Sequence, residues 1–360
     1  MSAEEVALKE NETKVSPDYA RISMAAAIQL GLKDGKFYRD IECGCINLLQ
    51  VYPEGCYANC SYCGLARERP GNAEENSFIR VSWPLYSMET LANSIADLEK
   101  SKGVGRVCIS QVHDSKTNKD ILEMAGLINT TAPDVPIAAL INASTMDEET
   151  LLLLKKYGVD KIGFGLDGAS EPIFNKHRGK ERRGPHTWQK YFKIIDLARE
   201  LYGPYNVNCH VIVGLGETDK GLAKINSLLY SKQVEVYLFS FNSEPGSALQ
   251  DWKRQPIKRH RRVQLMKYLI EKNLATENDL LFDDEGSLIK INLPVNVIDE
   301  VIDSGFPFMT DGCPDRQGEM TCNRPFGSYR PGEEFRDYPF LPEEQDLVEI
   351  RNQMVIEEIL

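Results

Sequence analysis

The stretch Ile46-Asn-Leu-Leu-Gln-Val-Tyr52-Pro-Glu-Gly-Cys56-Tyr-Ala-Asn-Cys60-Ser-Tyr-Cys63-Gly64 joins a β-rich run to a loop that carries three cysteines. The run Ile46–Tyr52 predicts a strand, and working outward the same unit recurs. Further β-rich runs at Arg106–Val112, Ile137–Ile141, Lys161–Leu166, Val207–Val213 and Val234–Phe241 each lead through a polar turn into a helical pattern. Met88–Lys100 follows the first run, and the later patterns are Asp120–Thr130, Asp147–Tyr157, Thr187–Tyr202, Lys220–Lys232 and Ile257–Asn273. Alternation of continuous apolar strands with helices points to a parallel sheet covered on both faces. Six units, with a seventh candidate strand near Leu288–Leu293, predict an α/β fold: a TIM-type (β/α) barrel, full or partial. A helix is expected over Asp18–Leu32. Three segments follow: an N-terminal extension at 1–45, the barrel at 46–293, and an irregular cap at 294–360, rich in Pro, Gly and aromatic residues between Pro307 and Pro342.

The chain has 360 residues, 42% of them hydrophobic and 27% charged, enough to bury a full core. Its formal charge of -12 argues against nucleic acid or an anionic membrane as the general partner. No run of some 18 apolar residues is present, so no membrane span is expected. The start, Met1-Ser-Ala-Glu-Glu5, lacks the basic-then-apolar pattern of a signal peptide, and a cytoplasmic location is expected.

In a reducing compartment an odd set of nine cysteines is poorly explained by disulfides. Cys108 and Cys209 are scattered singly and read as core thiols. The other seven fall into two groups. Cys56, Cys60 and Cys63, spaced by three and two residues after a strand, can ligate three irons of a [4Fe–4S] cluster and leave the fourth open. A structural zinc site asks for four closed ligands, and no fourth Cys or His lies near at that spacing.

The Cys56-x-x-x-Cys60-x-Tyr62-Cys63 motif resembles the signature of the radical S-adenosylmethionine (SAM) superfamily, found in the loop after the first strand of a (β/α) barrel. The resemblance implies a [4Fe–4S] cluster on Cys56, Cys60 and Cys63, with SAM bound at its open iron and cleaved to a 5′-deoxyadenosyl radical that removes hydrogen from an unactivated carbon. It implies SAM contacts as well. Tyr62 is the aromatic residue of the motif. Val211-Ile-Val-Gly214-Leu-Gly-Glu217 is similar to the segment near the adenine, which places Gly214 and Glu217 there. Asp167 stands at a strand end where similar enzymes meet the ribose. The Gly-Gly-Glu usual after the second strand is absent, with Ser110-Gln-Val-His-Asp114 in its place.

Cys43-Gly-Cys45 precedes the first strand, and Cys313 and Cys322 lie in the cap, eight residues apart. Together they complete a four-thiolate set suited to a second, auxiliary [4Fe–4S] cluster, with tetrahedral zinc as the alternative. Ser328 is a further candidate oxygen ligand. Strand length separates Cys45 from Cys56, so the two clusters are expected at opposite ends of the barrel. A radical source above and a sulfide source below suit sulfur insertion. Asn142 and Asn208 stand where biotin synthase would carry its next ligands after Cys108. The combination is most similar to one component of the two-component lipoyl synthases, within the biotin synthase-like group.

That resemblance implies a sulfurtransferase acting on an octanoyl chain on a carrier protein, with a second homologous synthase subunit and a reductant such as ferredoxin or flavodoxin. Basic islands at Lys176–Arg183 and Lys253–Arg262 are candidate docking sites for an acidic carrier, or solvated helix starts. His113 and His186 read as ordinary polar residues. Two other readings stay open: another biotin synthase-like radical enzyme, performing biotin-type sulfur insertion, a rearrangement or cofactor maturation, and a non-catalytic metal-bearing scaffold.

Overall fold

A computed structural model describes residues 14–71, 77–326 and 334–360; Ser328 lies outside them. The first described segment is divided, where the sequence predicts one helix over Asp18–Leu32. Tyr19–Ile22 form a strand, β1, and Met24–Gln29 a helix, α1. Ser23 separates them: its Oγ accepts the Ala26 amide at 3.2 Å and caps the helix. The strand then finds partners that no local pattern announces. It pairs antiparallel with β2 (Cys45–Leu49) on one side and β3 (Leu85–Ser87) on the other, through Arg21↔Leu49 and Ala20↔Tyr86. Within the segment 1–45, Tyr19–Ile22 therefore contributes a strand to the main sheet.

From β3 the chain runs into α2 (Met88–Ser101) and then alternates: β4 (Arg106–Ser110), α3 (Thr117–Thr131), β5 (Ile137–Ile141), α4 (Glu148–Lys156), β6 (Val159–Asp167), α5 (Glu171–His177), α6 (Trp188–Tyr202), β7 (Val207–Val213), α7 (Asp219–Ser231) and β8 (Glu235–Ser240). Sheet order is β3-β1-β2-β4-β5-β6-β7-β8, and the six strands from β2 through β4 to β8 are parallel. The architecture is α/β. One face of the strands, with Ile46, Val107, Ile109, Ile162, Phe164 and Val211, packs in a continuous buried core beneath the helices. The other face, with Leu49, Ser110, Leu140, Asp167, Ile212 and Phe239, surrounds a single cavity. The sheet therefore curls round a centre, but β3 and β8 remain its ends, so the barrel is partial.

The candidate seventh strand does not join it. Leu288–Ile291 (β10) pairs antiparallel with Leu280–Phe282 (β9) in a separate hairpin. A tight turn makes this so: Asp283 N donates to Ser287 O at 3.1 Å and Gly286 adopts φ +81. Before the hairpin lies α8 (Ile257–Glu271); after it, α9 (Val295–Asp303) and α10 (Glu344–Met354) give the 294–360 region regular structure that its composition hides. Among the described residues no helix is long and apolar enough to cross a membrane.

Helix α8 explains the second basic island. Arg261 and His260 are fully buried in it. Arg261 Nη1 donates to Arg336 O at 2.6 Å, Arg262 to Met354 O and Val355 O at 3.0 and 2.8 Å, and His260 Nε2 lies 3.2 Å from Asp337. These side chains fasten the C-terminal region to the barrel rather than forming one open basic surface.

Candidate active site

The loop after β2 carries Cys56, Cys60 and Cys63, and all three line the mouth of the cavity, whose volume is 340 Å³. Local bonds hold the loop in shape. Tyr57 N donates to His113 O at 2.9 Å and Cys63 N to Cys60 O at 3.2 Å, while Ser61 N reaches His177 O at 2.8 Å at the end of α5. Burial pushes the Cys60 thiol up to about 11 and raises Cys56 and Cys63 as well. Thiols placed in this way ionise only when a cation arrives, so binding of a metal or cluster expels their protons.

Beside them is a buried polar group. Tyr62 Oη donates to Asp167 Oδ2 in a short hydrogen bond. Arg178 Nη1 donates to the same oxygen at 2.5 Å, and its Nη2 to Tyr191 Oη at 2.6 Å and Asn142 Oδ1 at 3.4 Å. Tyr62, Asp167, Asn142 and Arg178 all line the cavity. Asp167, at the end of β6, holds φ +62, a left-handed conformation that Asp tolerates better than most side chains. Arg178 was legible only as part of a basic island; its remaining Lys and Arg neighbours turn outward, Arg183 onto Glu68 and Lys176 over the Trp252 ring at 5.4 Å.

Gly214 and Glu217 are placed differently from the expectation. Neither lines the cavity, although Ile212 and Phe241 beside them do. Glu217 turns back on its own loop, accepting Gly214 N and Leu215 N, each at 2.8 Å, and pairs with Arg259 at 3.0 Å. Its carboxylate is thus used up in holding the strand-to-helix turn, where Gly214 adopts φ +115. A side chain at Gly214 would press on Phe241 Cβ at 3.0 Å.

The floor of the same cavity holds a second set of thiols: Cys45, Cys108, Cys313 and Cys322. Two of them come from neighbouring strands. The register pairs Cys45 with Arg106 and Asn47 with Cys108, so the inward residues of β2 and β4 stand side by side. The other two come from the C-terminal region. The eight residues between Cys313 and Cys322 fold into a hairpin, bridged at Pro314↔Met320, and Cys322 N donates to Cys313 O at 3.1 Å. That turn removes the difficulty of the long spacing. The hairpin is fastened to β2 and β4: Thr321 Oγ1 donates to Gly44 O at 3.1 Å, Asn323 Nδ2 to Glu42 O at 2.8 Å, and Arg106 Nε to Pro314 O at 2.8 Å. A side chain at Gly44 or Gly105 would collide with Thr321, and one at Gly312 with Cys322.

Cys43, expected with this set, does not line the cavity. Its amide donates to Gln29 Oε1 at 3.0 Å and its thiol to Cys45 O at 3.3 Å, in the core outside the sheet. Cys108, expected as a core thiol, takes a place on the floor; Cys209 is a core thiol as expected. Electrostatics register the crowding. A hydrogen bond from the Cys45 thiol brings Cys322 down to about 7, whereas burial and the neighbouring Cys322 push Cys313 up to about 12. Among the described residues, no three His, Cys, Asp or Glu side chains come together at the spacing of a single bound ion. A [4Fe–4S] cluster would ligate each cysteine of a set through a different iron.

Between the two sets the wall carries residues not singled out in the sequence. His210 faces the cavity on β7, stacked between Phe239 and Tyr237 with centroids 4.7 and 5.9 Å away. The Arg324 guanidinium lies 3.9 Å from the Phe239 ring centroid. At the mouth, His113 and His186 meet edge to face at 5.5 Å, and His186 Nδ1 lies 2.7 Å from Ser144 Oγ. Single histidines on strands carry no spacing signal, so only the alternation along β7 could have flagged His210.

Residues 51–229 match the model of the Radical SAM superfamily. Among curated proteins, the chain is 26% identical over 212 residues to a biotin synthase of Prochlorococcus marinus (strain MIT 9215), covering 57% of each chain. It is 23% identical over 208 residues to a biotin synthase of Sulfurihydrogenibium sp., again over 57% of each. The match thus spans little more than half the length of these relatives. A crystal structure of methylornithine synthase superposes on 93% of this chain and 86% of its own, at 14% identity and a TM-score of 0.49.

Proposed function

We propose, from the premise that residues 51–229 of this chain form a radical SAM domain of biotin synthase-like type, that the protein inserts sulfur at unactivated carbons of an octanoyl chain borne on a carrier protein. One observation carries this reading: a single cavity has three thiols at its mouth and four at its floor.

When bound, the [4Fe–4S] cluster and SAM supply hydrogen abstraction from an unactivated carbon, and a second cluster supplies sulfur. Cys56, Cys60 and Cys63 would hold the first cluster. The Asp167 carboxylate, fixed by Tyr62 and Arg178, is placed to orient the polar part of SAM. Leu140, Ile212, Phe239 and Phe241 line the wall between the ends and keep water from it, as a reactive radical requires. The same apolar wall suits an aliphatic chain lying along the barrel axis. The floor thiols would hold the sulfur source, with the C-terminal region acting as the domain that closes the barrel from below. A reductant such as ferredoxin or flavodoxin, the carrier protein and a second homologous synthase subunit complete the system. Since most arginines of the 253–262 island are engaged internally, carrier docking falls to other surfaces.

The test is anaerobic reconstitution with SAM, a reductant and an octanoylated carrier peptide, read by product mass. Gain of sulfur supports the reading. SAM cleavage with a rearranged or methylated product, and no sulfur, overturns it in favour of another radical SAM activity; no 5′-deoxyadenosine at all points to a scaffold.

A further inference from the structure

The auxiliary site can be assigned to individual residues, and the assignment departs from the spacing of cysteines in the sequence. We infer that Cys45, Cys108, Cys313 and Cys322 are the four ligands of a [4Fe–4S] cluster at the cavity floor, and that Cys43 is not one. The inference rests on the proposed function only for the role of that cluster, not for its ligands.

Three observations support the set. First, β-strand alternation turns Cys45 and Cys108 into the cavity from adjacent strands, offset by two residues in register. Continuing the alternation backward would turn Cys43 inward too, but the strand begins only at Cys45. Gly44 N donates to Asn323 Oδ1 at 3.3 Å, Thr321 lies against Gly44, and Cys43 sits beside Gln29, outside the cavity lining. Second, the Cys313–Cys322 hairpin delivers its thiols to the same floor, and Asn208 Nδ2 touches Cys313 Sγ at 3.7 Å from β7. Cys313, Cys108 and Cys322 share one small packed group with Tyr237 and Phe239, whereas Cys43 belongs to the main core.

Third, cations stand at the site. Four thiolates around a cluster core of charge about +2 leave a net charge of about −2, which a buried site must at least partly offset. Two guanidiniums stand there, one of which, Arg106, is also paired with Asp160. Arg324 lines the cavity two residues from Cys322, and the side chain of Arg106, 1% exposed, bonds the carbonyl next to Cys313.

The experiment uses the full chain with the mouth ligands removed (Cys56→Ala, Cys60→Ala, Cys63→Ala), reconstituted anaerobically, so that only the floor can take up iron. About four iron and four sulfide per chain are expected, with an S = 1/2 signal on reduction that SAM leaves unchanged. Adding Cys108→Ala should abolish that signal and cut the iron several-fold. Adding Cys43→Ala should leave both. The far-UV circular dichroism and the cooperative unfolding transition of the Cys108→Ala single variant should match those of the parent chain, which shows that it folds. Retention of the cluster without Cys108, its loss without Cys43, or stoichiometric zinc in place of iron overturns the assignment. Failure to add sulfur to product while these iron counts hold overturns the proposed reaction and leaves the ligands standing.

Discussion

Arg178 Nη1 lies 2.5 Å from Asp167 Oδ2 at the mouth of the cavity, and the pair is almost wholly buried, with side chains 9% and 12% exposed. Tyr62 closes on the same oxygen, so one carboxylate joins the cysteine loop to the end of β6 and the start of the α5–α6 connection. Removing one member leaves an uncompensated charge in the interior. Arg178→Met should cost about 3–5 kcal/mol of stability, read as a lowered denaturation midpoint. Asp167→Asn keeps the left-handed backbone and the hydrogen-bonding shape; it should fold while binding SAM about tenfold more weakly, a loss of about 1.4 kcal/mol. Unchanged affinity would show that Asp167 is a structural strut only.

Cys60 belongs to the mouth set, and its replacement isolates that set. Cys60→Ala should lose about four iron per chain and form no 5′-deoxyadenosine, with the floor cluster's spectrum retained. Iron analysis and nucleoside chromatography check it. Continued SAM cleavage by this variant would remove the cysteine loop from the chemistry.

Glu217 accepts two backbone amides and the Arg259 cation, and it stands outside the cavity. Glu217→Gln should therefore destabilise the chain by about 1–3 kcal/mol while the affinity for SAM stays within about twofold. A large fall in affinity at unchanged stability would be the mark of a cofactor contact instead.

His210 offers a pH test. Burial, aided by Arg324 and Arg178, brings its imidazole down to about 3 from 6.5. Above pH 6.5 it is neutral in both folded and unfolded chains, and its contribution to stability is complete. As pH falls below 6.5 the unfolded chain takes up a proton that the folded one refuses, so stability declines until about pH 3. Between pH 7.5 and 5.5 the loss through this residue is roughly 1.4 kcal/mol. His210→Gln should reduce the difference in unfolding free energy between those two pH values by that amount, measured in denaturant. An undiminished difference would mean that the ring is protonated in the folded state.

Much of the scaffold is written locally. The runs at Ile137–Ile141 and Val207–Val213 are β-strands over the residues their composition indicates, the first apolar throughout and the second broken only by Asn208 and His210. The mouth triad is equally local, since three cysteines within eight residues of one loop reach one site whatever surrounds them. The edge of the sheet is less legible. Tyr19–Ile22 has a helical neighbour and too few residues for a period-2 signal, and its strand character comes from β2 and β3. In the same way Leu288–Ile291 reads as a barrel strand until a turn folds it onto Leu280–Phe282.

The sequence by itself determined the parallel α/β scaffold, the cysteine loop after its first parallel strand and the presence of a second group of thiols. Which four of those thiols share a floor was decided only by the tertiary structure. Cys108 is 63 residues from Cys45 and 205 from Cys313 along the chain, and no local period links them. Their meeting depends on strand register and on a hairpin tied down by Thr321 and Asn323, all contacts between distant segments. The same is true of Arg178: its position in a basic run suggests an exposed surface, and only packing against Asp167 and Tyr191 places it in the interior.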